Sequence, residues 1–385
     1  MAKTTSSLET PLREQLDRLA GFEPTNAPVL SLYLDMRSDE HGNRGRYESF
    51  LRKVFPDRSR GLDGEARKSF DRDVERITMY LAEELQPATN GVAIFACSAA
   101  SNFFEAVQLN VPLEQSWLFV ASVPHVYPLA RLNDQYPRYA ALLVDTNSAR
   151  LFVFGLGAAE AHREVRNVKT RRTSMGGSSQ ARYQRHVSNF HLHHTKEVVD
   201  VLDRVVREDA IDKIIVSCDP VTMPMLMEQM PKHLAEKVVD IVHLDINTPE
   251  HQVLTETLET MRENDAQTDA ERVERLFNAW HSGGLGVVGP EDTLDALAKG
   301  QVEELQITAT PALLRGAGDL GVESRTGSID TDTSAPNGNA DPQQMQFADE
   351  LVSRAQQQSA RIRFIEDPAL LAEVGGVGAI LRFKI

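Results

Sequence analysis

Cysteine is nearly missing from this chain: two of 385 residues, Cys97 and Cys218. Both sit in apolar runs, IFACSA and IIVSCD. Two distant thiols in such runs are expected as core side chains in a reducing compartment, not as a disulfide. Long hydrophobic runs are missing as well. None approaches the roughly 18 residues that span a bilayer. The opening stretch MAKTTSSLETPLREQL has no apolar segment of the secretory kind. A cytoplasmic protein without membrane association is therefore expected. Positive charge is the scarcer sign, with 41 Lys and Arg against 56 Asp and Glu and a net charge of -15. That balance favours solubility and argues against generalised affinity for nucleic acid, but it allows a local basic site. No short-period internal repeat is visible.

What is present is an alternation of strand and helix signals, which predicts α/β layers. A first unit, 1–130, has a short helix PLREQLDRLAGF and a buried strand APVLSLYLDMR. Charged helices follow over 46–85, then strands NGVAIFACSA and NFFEAVQLNVPL. A second unit, 131–275, opens with YAALLVDTNSARLFVFGLG, a hairpin signal around Asp-Thr-Asn. A helix is predicted over 184–207 from the spacing of Val198, Val199, Leu202, Val205 and Val206, followed by the strand DKIIVSC and a charged helix over 249–280. A third unit, 276–385, opens with SGGLGVVGPEDTLDALAKGQVEELQIT. Pro290, Glu291 and Asp292 suit a helix first turn there, and Gly300 suits its stop. Residues 316–344 are rich in Gly, Ser, Thr, Asp and Pro without periodicity and are expected to be a mobile insertion. The helices FADELVSRAQQQ and PALLAEVG and the strands ARIRFIE and GAILRFK complete the unit.

The basic residues are not evenly spread. Between Arg163 and Arg185 stand Arg163, Arg166, Lys169, Arg171, Arg172, Arg182 and Arg185 against Glu164 alone, around the loop Gly176-Gly177-Ser178-Ser179-Gln180. Such a run can neutralise several phosphates, and Tyr183 can stack on a base. The glycines allow close backbone approach to a ligand. The run lacks the GxxxxGK[ST] spacing of a nucleotide loop and the GxGxxG of a dinucleotide loop, so no nucleotide cofactor is expected there.

The order of these elements resembles the eukaryotic and archaeal peptide-chain release factor, its relative Pelota and their bacterial release-factor-like homologues. APVLSLYLD and NGVAIFACS resemble first-domain strands, AALLVDTNSARLFVFGL the start of the middle domain, and LGVVGPEDTLDALAKGQVEEL the start of the C-terminal domain. The resemblance spans nearly the whole chain. It implies a three-domain factor that enters the ribosomal A site, contacts ribosomal RNA and tRNA, and is delivered by a translational GTPase of the elongation factor Tu type.

In that family a Gly-Gly-Gln loop helps water cleave the peptidyl-tRNA ester. Here Ser178 occupies the Gln position and Gln180 comes two residues later, while Arg182 and Tyr183 match the following Arg-aromatic pair. The resemblance thus implies Gly176, Gly177 and Gln180 as catalytic positions. Lys169, Arg171, Arg172, Arg182, Tyr183 and Arg185 are the RNA-binding ones. The Asn-Ile-Lys-Ser and Tyr-x-Cys-x-x-x-Phe stop-codon motifs are absent, the corresponding regions being RSRGLDGEARKSF and VYPLARLND. Rescue of stalled ribosomes without decoding is the implied activity. The alternative is a non-catalytic, Balon-type hibernation factor that occupies the A site.

Three further clusters have plainer readings. His186, His191, His193 and His194 lack the convergent acid or cysteine of a closed zinc site and are expected near RNA or on a solvated helix. Met223, Met225, Met227 and Met230 are expected as core filling. Glu263, Asp265, Asp269 and Glu271 are expected on a solvated helix face.

Overall fold

The computed structural model describes residues 12–37, 46–87, 89–113, 115–156, 158–166, 180–220, 222–315 and 341–384. It is a mixed α/β structure with three sheets and divides into two compact units. Residues 1–135 with 268–385 form unit 1, and 136–267 form unit 2. No helix among the described residues is long and apolar enough to cross a membrane.

The first part of unit 1 runs α1 (Leu12–Ala20), β1 (Val29–Asp35), α2 (Arg46–Arg58), α3 (Gly64–Glu83), β2 (Gly91–Cys97), β3 (Phe103–Leu109), β4 (Trp117–Ala121) and α4 (Tyr127–Gln135). The strands form a sheet of order β3-β2-β1-β4, with β1 central and antiparallel to both neighbours. Alternation along β1 sends Leu30, Leu32 and Leu34 to a core shared with Leu51, Phe55, Phe70, Ile77 and Leu81 of α2 and α3. Its other face carries Ser31 and Tyr33. The Ser31 Oγ accepts the His125 backbone N–H at 2.9 Å, and the Tyr33 hydroxyl donates to the His125 carbonyl at 2.6 Å.

Unit 2 contains β5 (Tyr139–Val144), β6 (Ser148–Gly155), β7 (Ala158–Arg166), α5 (Gln180–Glu208), β8 (Ile214–Cys218), α6 (Met223–Gln229), α7 (Lys232–Ala235), β9 (Val238–Val242) and the first part of α8 (Glu250–His281). Its sheet has the order β7-β6-β5-β8-β9. β5, β8 and β9 are parallel, and β6 and β7 are antiparallel additions. One face, Ala140, Leu142 and Val144, packs on Val198, Leu202, Val205 and Val206 of α5. The opposite face, Tyr139, Ala141 and Leu143, packs with Val253 and Met261 of α8. The Tyr139 hydroxyl bonds Thr257 Oγ1 at 2.8 Å, and burial pushes that phenol up to about 12.

After α8 the chain returns to unit 1 with β10 (Gly286–Val288), α9 (Pro290–Ala298), β11 (Val302–Thr308), α10 (Pro342–Gln357), β12 (Arg361–Ile365) and β13 (Val377–Leu381). The sheet order is β10-β13-β11-β12, with β11 and β12 parallel across the α10 crossover. The two sheets of unit 1 are joined by α4 and α10. Asp349 of α10 accepts the Tyr127 N–H at the start of α4 at 2.9 Å and meets His125 Nδ1 at 2.5 Å. The Tyr127 hydroxyl donates to the Thr308 carbonyl at 2.5 Å, and burial raises its pKa strongly. Arg363 and the Phe364 N–H both bond Asp134, at 2.8 and 2.9 Å.

Several expectations need correction. Arg163 and Arg166, expected in the basic loop, lie on β7, opposite Leu151 and Ser148. The hairpin continues one strand further than its turn signals indicate, because β6 has a free edge to pair. PALLAEVG is not a helix but ends in a short 3-10 turn, Ala372–Val374. Gly375 and Gly376, at φ 76 and 84, reverse the chain there into β13. The end of the expected insertion is ordered: α10 starts at Pro342 because Asp341 and Gln344 form a capping box. The rest of it, 316–340, lies outside the described residues.

Candidate functional site

The base of the candidate site is the β5–β6 turn of unit 2. Asp145 Oδ1 accepts the N–H groups of Asn147 and Ser148 at 2.6 and 2.8 Å, and the Asp145 N–H returns a bond to the Ser148 carbonyl at 2.9 Å. This closes the Asp-Thr-Asn turn that the sequence signals. Two roots meet at Ser148. Arg166, the last residue of β7, pairs beside it. His194 of α5, fully buried, hydrogen-bonds the backbone at Ser148 and Asp145. The chain between these roots carries the basic run.

Helix α5 has 29 residues, about 43 Å at 1.5 Å per residue. From His194 onward it is fastened to the sheet by Val198, Val199, Leu202, Val205 and Val206. Gln180, its first residue, stands fourteen positions before His194, about 21 Å along the axis. Arg182, Tyr183 and Arg185 also lie on the helix, with positions 182 and 185 three apart along one side. The helix therefore begins four residues earlier than the expected 184–207. Ala181, Arg182, Gln184 and Arg185 are good helix formers and extend it to Gln180. Lys169, Arg171, Arg172, Gly176 and Gly177 lie outside the described residues.

Burial lowers the pKa of His194, against the opposing pull of the Ser148 backbone and the Asp145 charge. The imidazole is therefore neutral at pH 7 where it fixes α5 to the turn. In the unfolded chain it takes up a proton more readily. The stability it contributes is complete above its ordinary pKa of about 6.5 and is lost as the pH falls toward the lower folded value. Unit 2 should thus become less stable between pH 7 and pH 5, and His194→Phe should flatten that dependence. Cys218 is the cysteine of unit 2 and is buried. Its alkylation at one fixed pH, after denaturant equilibration at each test pH, reads the opening of that unit. An unchanged slope in the variant would remove His194 from this role.

Other groups near the turn are structural. Burial, then Asp219 and Asp145, push the Cys218 thiol up to about 12, so it is not a nucleophile at neutral pH. The Ser217 hydroxyl donates to the Leu244 carbonyl at 3.0 Å. Among the described residues no three His, Cys, Asp or Glu side chains come together to hold a metal ion. The acidic stretch on α8 is not uniformly solvated. Asp265 accepts Lys213 at 2.8 Å, and Asp269, 8% exposed, accepts Arg272 at 3.0 Å, while Glu263 and Glu271 are exposed. Met230 is core and Met223 packs against it, whereas Met227 is exposed.

Sequence reasoning missed the role of Ser148 and His194. The turn signal was legible, but that β7 and α5 both return to it depends on strand pairing.

Three solved structures illustrate the similar proteins. The archaeal translation termination factor aRF1 shares 16% identity over 97% of both chains, with a TM-score of 0.28. A ribosome-bound archaeal Pelota model with ABCE1 shares 14% identity, over 97% of this chain and 94% of that one, at a TM-score of 0.42. Saccharomyces cerevisiae Dom34, described as a translation termination-like factor interacting with Hbs1, shares 10% identity over 76% and 81%, at 0.38. No curated protein matches. The family model of bacterial archaeo-eukaryotic release factor family 10 matches residues 124–262, a stretch that holds the β5–β6 turn, the basic run and all of α5. That stretch is thus similar to the bacterial archaeo-eukaryotic release factors.

Proposed function

We propose that this protein enters the ribosomal A site and promotes hydrolysis of peptidyl-tRNA on stalled ribosomes, without reading a stop codon. The observation that carries the proposal is the placement of the Gly-Gly-Ser-Ser-Gln sequence. Residues 176–179 directly precede, and Gln180 begins, a 29-residue helix whose far half is bolted to the sheet, and both lie in the family-matched stretch. A rigid helix of this length can hold a loop well away from the body. Lys169, Arg171, Arg172, Arg182 and Arg185 would hold RNA phosphates, and Tyr183 would stack on a base. Neutralising about five phosphates gives a log–log salt slope of about 3.5–4.5.

The chemistry does not ask Gln180 for a proton. An amide orients the attacking water, and backbone N–H groups at a helix start favour the negative charge that develops on the ester oxygen. Gly176 and Gly177 would let the backbone approach the ester closely. Ribosomal RNA and tRNA are the contacts in this reading, and an elongation factor Tu-type GTPase is the delivering partner.

A second reading is a hibernation factor that occupies the A site without cleavage. One observation favours it: Gln180 is the first residue of α5, held by the helix instead of lying free within the loop.

Ribosomes carrying labelled peptidyl-tRNA with an empty A site separate the two. Wild-type protein should release peptide, and Gln180→Ala should lose about 100-fold or more of that rate while co-sedimenting with ribosomes as before. Binding without release by either protein would overturn hydrolysis and leave occupancy.

A further inference from the structure

We propose that unit 1 carries a second RNA contact, a stacking platform for an unpaired strand where α8 and β13 end. It is independent of the basic run before α5. Three large apolar side chains are exposed at this corner: Trp280 at 41%, Leu285 at 42% and Phe383 at 47%. The indole of Trp280 lies 4.7 Å from the His281 ring, and Phe277, seated on the core, lies 6.4 Å behind it. The rings therefore stand on a fixed base. The end of β13 runs alongside. The Leu381 N–H donates to the Leu285 carbonyl at 2.8 Å, and Lys384 Nζ to the Gly283 carbonyl at 3.2 Å.

Charge selects the occupant. The chain has 56 acidic residues, yet 275–290 and 374–385 contain none. They meet where Leu381 bonds Leu285, and Arg382 and Lys384 are exposed there, the Arg382 guanidinium also donating to the Gln358 and Ser359 carbonyls at 3.0 and 3.3 Å, with exposed Glu303 as the nearby acid on β11. Cations on the same corner as exposed aromatic side chains match a polynucleotide whose bases are free to stack and whose phosphates are free to pair. An acidic protein segment would satisfy the cations but would leave the indole without a planar partner. A duplex would hide its base faces. The favoured ligand is thus a single strand, bound with little sequence preference.

The chain has two tryptophans, Trp117 and Trp280. In a Trp117→Phe background Trp280 alone reports, and it is titrated with a 12-nucleotide single-stranded RNA, the corresponding duplex, and a Glu/Leu-rich peptide. Saturable quenching by the single strand, little by the duplex and none by the peptide, is expected. Phe383→Ala should weaken it at least about fivefold, and Lys384→Ala should lower its log–log salt slope by about 0.7. Arg182→Ala should leave it unchanged, so a failure of the loop reading does not register here. Absence of quenching while the RNA still binds the chain would overturn the proposal. Quenching by the peptide alone would assign the surface to a protein. Should Trp117→Phe not fold, photo-cross-linking of 4-thiouridine RNA to the wild type decides. Cross-links within 277–285 or 377–384 support the platform, and cross-links confined to 158–190 refute it.

Discussion

Asp349→Ala unfolds unit 1 at a temperature on the order of 10 °C below wild type. The residue is 6% exposed, and its carboxylate holds two donors at once, His125 Nδ1 at 2.5 Å and the Tyr127 N–H at 2.9 Å. Truncation leaves both buried without an acceptor, and the first turn of α4 loses its cap. Removing one member of such a buried pair costs about 3–5 kcal/mol, and each kcal/mol moves the midpoint by about 2–4 °C in a unit of this size. The effect reaches across unit 1, because α4 and α10 belong to the parts of the chain before and after unit 2. Asp349→Asn keeps an oxygen for the Tyr127 N–H and should lose about half as much. Both tryptophans lie in unit 1, so their fluorescence follows its melting alone. A midpoint within 2 °C of wild type for Asp349→Ala would show that this contact does not join the two sheets.

Gly286→Ala is the second large effect, and it arises from crowding. A Cβ at position 286 would lie 2.5 Å from the Trp280 N, 2.8 Å from the Leu276 O and 2.9 Å from the Ala279 C. All three are backbone atoms of α8, so no rotamer change can make room. The close approach follows from how the helix ends. Gly283, at φ 67, turns the chain back, and the Gly284 N–H caps the Ala279 carbonyl at 2.8 Å. That reversal lays β10 against the last turn of α8 and pairs it with β13. Although Gly284, Gly286 and Gly289 have the GxGxxG spacing, Gly286–Val288 is itself a strand, and the glycines serve packing. Overpacking against backbone costs about 3 kcal/mol, with a shift in Trp280 emission as the helix end moves. Leu285→Ala, at an exposed position, should cost less than about 0.5 kcal/mol. Equal stability of Gly286→Ala and Leu285→Ala would show that strand and helix do not meet in this way.

Much of this architecture is local and can be read without coordinates. Apolar alternation in VLSLYLD and YAALLV, helical spacing from Val198 to Val206 and the Asp-Thr-Asn turn each depend on a few neighbours in the chain. Their period or turn chemistry alone selects the element. The concentration of arginine around Gly176 and Gly177, and the displaced Gln180, are likewise properties of sequence. Tertiary structure decided what depends on distant partners. β7 exists because the edge of β6 is there to pair with, which takes Arg163 and Arg166 out of the loop. His194 is a fastening and not a ligand, because α5 presses it into the Ser148 turn. Asp349 meets His125 only because the chain leaves unit 1 after Gln135 and re-enters it at Thr268. A long-range contact of that kind is set by the packing of whole layers, and side-chain periodicity has no term for it.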